Sequence, residues 1–274
     1  MLKYTMIVLT SAATLSVGFV GSAEASSTLE YDEDVTPDVI FGTGNDNGSF
    51  TVNRDNGLEL GLRGKLRFNS SNQPENTFNS NGDGTYSFAA GTPPSGFSFA
   101  PGSPTTPIWN FEWSINSDYQ PTGKTLSSYD YQLDIDFDAG IGQNFQSFDP
   151  INTLYADHAI GNNATGNGGG SVAPFSDTAT YSNLIANNNV AQNSWSMEFF
   201  NNGPFDIFDP TVDGTYDFRL TAFEKGTQTK LAQTEMQIIV GQGATDVPEP
   251  ASLLGLATIG AVAAGGALKK KAAA

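Results

Sequence analysis

The chain has no cysteine, little positive charge and a single histidine, and each scarcity excludes a class of function. Without cysteine it has no disulfide, no thiolate nucleophile and no Cys-ligated zinc. Its 12 Lys and Arg residues face 29 Asp and Glu, and the resulting net charge of -17 repels the phosphate backbone of nucleic acids. His158 has no nucleophile motif nearby. The sequence therefore predicts neither a nucleic-acid partner nor catalysis by cysteine or histidine.

The composition nevertheless differs from that of a disordered acidic chain. Among the 274 residues are 19 Phe, 9 Tyr and 3 Trp, large side chains whose burial stabilises a core. Polar or Pro-rich stretches at residues 69–84, 92–107 and 162–170 predict long surface loops between the core elements.

The N-terminus has the three parts of a secretory signal. Lys3 provides a positive start, an apolar run follows to residue 20, and the small residues Ala23 and Ala25 flank Glu24 as at a cleavage site. We expect residues 1–25 to be removed after Ala25. The alternative is an uncleaved anchor, but the apolar run is short and contains Thr, Ser and Gly.

Residues 251–268 carry no charge and are followed directly by Lys269, Lys270 and Lys271. A helix of this length is about 27 Å long, close to the thickness of the hydrocarbon core of a bilayer. We expect a weakly hydrophobic transmembrane helix whose lysines act as a cytoplasmic stop-transfer signal. The alternative is a buried core helix, which would normally show a polar face.

The tetrapeptide Val247, Pro248, Glu249 and Pro250 stands immediately before this helix. With the helix and the lysines, it resembles the tripartite PEP-CTERM sorting tail of bacterial surface proteins, over residues 247–271. The resemblance implies recognition by a membrane-embedded exosortase, which processes its substrates during export in bacteria that make extracellular polysaccharide. This tail has lysine where arginine is commoner, and three alanines follow it.

Between residues 26 and 246 the dominant pattern alternates apolar and polar residues, as half-buried strands do. In residues 58–68 the even positions are leucine, glycine or phenylalanine and the odd ones mostly charged. Asn56-Gly57 predicts a two-residue hairpin turn that pairs this strand with residues 50–54. Similar alternation occurs at residues 109–116, 129–138, 195–199, 216–222 and 236–240.

These strands predict one acidic all-β domain over residues 26–246, followed by the sorting tail at residues 247–274. We expect an antiparallel two-sheet sandwich of about eight to ten strands, with a jelly roll as a variant. Each strand should bury one face and expose the other to water. A short helix near residues 182–187 is the one helical signal in the body.

Calcium is the candidate metal, because neighbouring carboxylates on one strand face repel unless a cation or a cross-strand Lys or Arg lies between them. The alternative is a solvated polar face. The loop at residues 79–84 also has the oxygen spacing of an EF-hand start, but Ala90 replaces its last ligand. No other cofactor is predicted. The strand carboxylates are Asp134, Asp136 and Asp138, followed by Asp149 and Asp157.

Two further features of the sequence concern a function in carbohydrate hydrolysis or carbohydrate binding. Glu112 and Glu198 lie on separate predicted strands and are the candidate pair for glycoside hydrolysis, although two unrelated outward-facing charges are the alternative. Aromatic side chains in turn-rich segments stack on sugars when exposed, or cap the ends of the core. They are Phe97, Phe99, Tyr119, Phe205 and Phe208.

The sequence thus predicts an exported, non-enzymatic protein with a structural or adhesive role. It would be anchored at least transiently in the inner membrane, then reach the cell surface or extracellular matrix. Its expected partners are the secretion translocon, an exosortase-like enzyme and the membrane. The alternative is a carbohydrate-binding or carbohydrate-active module that acts on exopolysaccharide, with or without calcium.

Overall fold

The computed structural model describes residues 28–94, 105–152, 157–200 and 208–244. The predicted signal segment with Ala23 and Ala25, and the predicted tail from Val247 to the lysines, lie outside these residues. Within the described part of the chain, every helix is too short or too polar to cross a membrane.

Eleven strands in the described residues form two sheets. The six-stranded sheet has the order β1-β2-β3-β5-β9-β8 and the five-stranded sheet the order β4-β11-β10-β6-β7. The strands are β1 (Leu29–Glu33), β2 (Phe50–Asp55), β3 (Leu58–Leu66), β4 (Thr85–Phe88), β5 (Trp109–Asn116), β6 (Tyr129–Asp136), β7 (Phe145–Phe148), β8 (Ala159–Gly161), β9 (Val190–Trp195), β10 (Gly214–Glu224) and β11 (Lys230–Val240).

The predicted hairpin between β2 and β3 is confirmed. Asp55 pairs with Leu58, which leaves Asn56 and Gly57 as a two-residue loop. Both have positive φ, 50° and 82°, the conformation that a type I′ turn needs and that Asn-Gly adopts at low cost.

The two sheets pack face to face around one large apolar core. The even-numbered residues of β3 and the odd-numbered residues of β5 are buried in it together with residues of β6, β10 and β11. Phe111 contacts Phe218 across the sheets with ring centroids 4.7 Å apart, and Trp109 contacts Tyr216 at 5.9 Å. Each such side chain contributes about 1.5–3 kcal/mol when fully buried. The all-β, two-sheet class is therefore confirmed.

The sandwich is not wholly antiparallel, which corrects the prediction. β4 pairs with β11 in parallel, with Tyr86 opposite Ile238, whereas β10 pairs antiparallel on the other side of β11. The chain reaches β4 after crossing from the six-stranded sheet, and only a tight hairpin would force antiparallel pairing.

The helix α1 (Thr178–Asn187) begins four residues earlier than the pattern predicted. Asp177 precedes it, and its Oδ1 accepts a hydrogen bond from the Thr180 backbone N–H at 2.9 Å. This N-cap satisfies a backbone donor that the first turn leaves unpaired, and so allows the helix to start there.

The outer face of the six-stranded sheet, turned away from the five-stranded sheet, is buried rather than wet. Glu59 and Arg63 on β3 are both fully buried. Residues 34–49, here called the covering segment, lie across this face between β1 and β2. The expectation that each strand exposes one face is therefore wrong for β3 and β5.

Candidate functional site

Polar side chains of the six-stranded sheet hold the covering segment in place. Glu59 accepts a hydrogen bond from the Thr36 backbone N–H at 2.6 Å. Gln192 on β9 accepts one from the Ile40 backbone N–H at 2.7 Å and donates one to the Asp38 carbonyl at 2.8 Å. An irregular segment has no strand partner, so these side chains satisfy its backbone. Burial raises the pKa of Glu59, and hydrogen bonds from Thr36 and Arg54 oppose that rise.

Arg63 lies at the centre of this layer. Its Nε donates to Glu112 Oε2 at 2.7 Å, and its Nη1 donates to the carbonyls of Asp46 and Gly48. The guanidinium carbon lies 4.1 Å from the ring centroid of Phe50. Burial lowers the pKa of Arg63, and the charge of Glu112 opposes that shift. Glu112 therefore has a clear structural role as the partner of a buried cation.

Beside this pair, the covering segment leaves a cleft of about 340 Å³ open on the outer face. Its size falls in the range of about 300–1,000 Å³ that is usual for small-molecule sites. β3, β5, β9 and the short 3₁₀ helix Met197–Phe200 form its walls. The lining includes Phe41, Thr43, Asn45, Lys65, Arg67, Phe68, Pro74, Asn110, Glu112, Ser194, Ser196, Glu198 and Phe199.

Two cations line the cleft. Lys65 Nζ donates a hydrogen bond to Asn45 Oδ1 and lies 3.8 Å from Glu112 Oε1. Arg67 lies with its guanidinium carbon 5.1 Å from the ring centroid of Phe68. Burial lowers the pKa of both Lys65 and Arg67, and the negative charge of Glu112 raises it again in part. Both cations are thus partly desolvated and incompletely compensated.

The structure brings the predicted carboxylate pair, Glu112 and Glu198, into this one cleft. Neither carboxylate is without a partner. Glu112 is ion-paired with Arg63, and Glu198 Oε2 accepts a hydrogen bond from the Thr106 hydroxyl. Glu112 is thus buried rather than outward-facing, and Glu198 is half-buried in the 3₁₀ helix Met197–Phe200 rather than on a strand as predicted.

The predicted calcium ligands do not share one wet face. Asp134 is buried, accepts hydrogen bonds from Gln132 and Ser147, and lies 3.9 Å from Arg219 on the neighbouring strand. Asp138 is exposed and its Oδ1 accepts from the Gly140 N–H at 2.9 Å. A cross-strand arginine thus supplies the positive charge that Asp134 needs.

Asp136 is buried, which corrects the expectation that it faces water. Its Oδ1 accepts from the Asp138 N–H, while its Oδ2 has no hydrogen-bond partner. Burial and the charges of Asp217 and Asp138 raise its pKa. Within the described ranges, no three acidic or histidine side chains are grouped closely enough to hold a metal ion.

The predicted aromatic surface is partly corrected. Phe208 is buried and packs edge-on against Trp109, so it caps the core. Tyr119 is half-buried beneath the Arg54 guanidinium. Phe97, Phe99 and Phe205 lie outside the described residues. Phe199, which the alternation at residues 195–199 placed on a strand, instead lies in the 3₁₀ helix Met197–Phe200, lines the cleft and is 46% exposed.

The cations of the cleft were also missed, although the sequence carries a signal for them. Arg63, Lys65 and Arg67 are three of only eight basic residues between positions 26 and 250, and they occupy alternate positions on one strand face.

No family model matches the chain, and the comparisons with curated proteins and with solved structures find no significant match.

Proposed function

We propose that this protein is exported to the cell surface or extracellular matrix, where its β-sandwich has an adhesive, non-enzymatic role. The sequences of the two ends, the signal-like residues 1–25 and the sorting-tail-like residues 247–271, support export. β1 begins at Leu29 and β11 ends at Val240, so processing at either end leaves every described strand intact. The translocon, an exosortase-like enzyme and the membrane around residues 251–268 are the proposed partners.

Mass spectrometry of the protein recovered from the cell envelope and from the medium tests this export. We expect the mature chain to begin at Ser26. Replacing Pro248 and Pro250 with Ala should reduce release into the medium, whereas Pro121→Ala, a change in an exposed loop, should not. A full-length precursor that starts at Met1 and resides in the cytoplasm would refute the proposal.

The observation that carries the adhesive role is the cleft on the six-stranded sheet. Lys65, Asn110 and Ser194 of its lining stand on strands, which position side chains more accurately than loops do, and Glu198 and Phe199 stand on the 3₁₀ helix. Amide, hydroxyl and carboxylate groups bind the hydroxyls of a sugar, and an aromatic face packs against the C–H surface of its ring. A saccharide is therefore the ligand class that we propose.

Titration of the full chain in detergent against a polysaccharide panel, with and without calcium, tests this role. We expect saturable binding without new reducing ends. The calcium arm tests the proposed metal dependence, since chelation would weaken binding if Asp134, Asp136 or Asp138 took part. No binding to any saccharide would exclude the adhesive role through this cleft.

Glycoside hydrolysis is the second candidate, because the cleft contains both Glu112 and Glu198 and such enzymes use two carboxylates. The ion pair between Glu112 and Arg63 favours binding over hydrolysis, since this carboxylate is already held by a structural partner. Release of reducing ends that Glu198→Gln abolishes and Glu224→Gln, an exposed control, leaves intact would establish hydrolysis.

A further inference from the structure

Positive charge is concentrated at the cleft of a strongly acidic protein. Arg63, Lys65 and Arg67 all face one carboxylate, that of Glu112, at 2.7 Å and 3.8 Å for the first two. Burial lowers the pKa of Arg67, and the charge of the same carboxylate partly opposes this shift. Two cations, Lys65 and Arg67, and two carboxylates, Glu112 and Glu198, line the cleft, and Glu112 is already ion-paired with the fully buried Arg63.

Arg67 differs from the other arginines in having no carboxylate of its own. Arg54 pairs with Glu30, Glu33 and Glu59, and Arg219 lies within ion-pair distance of Asp134 and Glu235. The Arg67 side chain has no ion pair or hydrogen bond within the described part of the chain, although carboxylates greatly outnumber cations. Its planar array of donors matches the geometry of a carboxylate.

Asn110 provides a second, independent observation. It is only 6% exposed, lines the cleft next to Lys65 on the paired strand, and donates a hydrogen bond to Ser194 Oγ at 3.2 Å. Its Oδ1 has no hydrogen-bond partner. Buried amide oxygens nearly always have a donor, so this acceptor has capacity for one more hydrogen bond, such as that from a hydroxyl group.

The signs of the charges select the ligand. A phosphate dianion would meet both cations but would be repelled by Glu112 and Glu198 in a poorly solvated cleft. A single carboxylate carries less negative charge and can be held by Lys65 and Arg67, because Glu112 is already paired with Arg63. Glu198 and the Asn110 Oδ1 can accept hydrogen bonds from hydroxyl groups, and the ring of Phe199, which is 46% exposed, offers an apolar face. One carboxylate on a ring that carries several hydroxyls meets all of these requirements.

We propose that the cleft binds a uronic acid residue of an acidic saccharide. Arg67 and Lys65 hold its carboxylate, Asn110 and Glu198 accept hydrogen bonds from its hydroxyls, and Phe199 packs against its ring. This inference rests on the saccharide-binding role proposed above and specifies its substrate class. It does not depend on how the protein is exported.

The test is calorimetric titration of the detergent-solubilised full chain with a short oligogalacturonate. The matched ligand is the same oligosaccharide after its carboxylates are reduced to alcohols, and sodium sulfate is the inorganic control. We expect the reduced ligand and the Arg67→Gln variant each to weaken binding about 10- to 100-fold, the loss of one charge-assisted interaction. Lys124→Gln removes the same charge from an exposed loop and should leave binding unchanged.

Each outcome decides between the proposals. Equal binding of the acidic and reduced ligands by the wild-type chain overturns the uronate inference but leaves saccharide binding in place, and this comparison needs no variant. Equal weakening by Lys124→Gln and Arg67→Gln, or displacement of the acidic ligand by equimolar sulfate, also overturns it. Failure of every ligand to bind overturns the adhesive role as well. The near-ultraviolet circular dichroism of both variants should match the wild type.

Discussion

Acid should destabilise this protein through His158, whose imidazole is buried among aromatic rings. Its Nε2 donates to the Pro150 carbonyl at 2.5 Å, and its Nδ1 accepts from the Asn193 amide at 3.2 Å. The Trp113 ring centroid is 4.7 Å away. Protonation would place a second N–H against the Asn193 donor. Burial lowers the pKa of His158 to about 4, although the Pro150 carbonyl and the charge of Asp157 favour the charged form.

The magnitude follows from the difference between the two states. In the unfolded chain the imidazole binds its proton near pH 6.5, whereas the folded protein resists protonation down to about pH 4. The unfolded state therefore binds more protons between these values, and the free energy of unfolding falls by about 1.4 kcal/mol for each pH unit. The total loss is about 3 kcal/mol at pH 4, with no contribution above pH 6.5.

Urea unfolding of residues 26–246 from pH 4 to pH 8, in wild type and His158→Gln, isolates this effect because the carboxylates titrate in both. We expect the difference between the two free energies to be constant above pH 6.5 and to shift by about 3 kcal/mol in favour of the variant by pH 4. His158 is the only histidine, so its C2 proton resonance also reports its pKa directly. Parallel stability curves, or an NMR midpoint near pH 6.5, would refute the reasoning.

Four further predictions concern stability, each measured by urea unfolding of residues 26–246. Glu112→Ala should lower the free energy of unfolding by about 3–5 kcal/mol, because it leaves Arg63 buried without its ion-pair partner. Asp136→Asn should stabilise the protein by about 1 kcal/mol at pH 7, because it removes a buried charge with an unpartnered oxygen. This gain should shrink as the pH falls, since a raised folded pKa makes the native wild type take up the proton first. Asp177→Ala should cost about 1 kcal/mol through loss of the helix cap. Gly61→Ala should cost about 1–3 kcal/mol, because the new Cβ would lie 2.8 Å from Val35 Cγ1. An effect of opposite sign in any of the four would contradict the corresponding contact.

The strands were predictable because their signal is local. Alternation in residues 58–68 and the Asn56-Gly57 turn reflect side-chain direction and backbone conformation, which depend on near neighbours only. The start of α1 was missed because the apolar spacing marks its buried side but not its cap at Asp177. The parallel pairing of β4 was unpredictable, since it depends on which distant strand lies beside it.

The candidate site was predicted only in part. Glu112 and Glu198 were singled out by residue type, and the structure places them in one cleft. Their partners Arg63 and Thr106 come from other strands or loops, so no spacing in the sequence connects them. Arg67 and Phe199 gained significance only when the shape of the cleft became known.

The sequence by itself determined the class of fold and the chemical character of each strand face, because alternation and turn propensity act over a few residues. The lack of charge in residues 251–268 and the three lysines that follow them are likewise read directly from the sequence. Only the tertiary structure decided that the polar face of β3 is buried. Its charged side chains became buried because they satisfy the backbone and opposite charges of a covering segment that arrives from elsewhere in the chain.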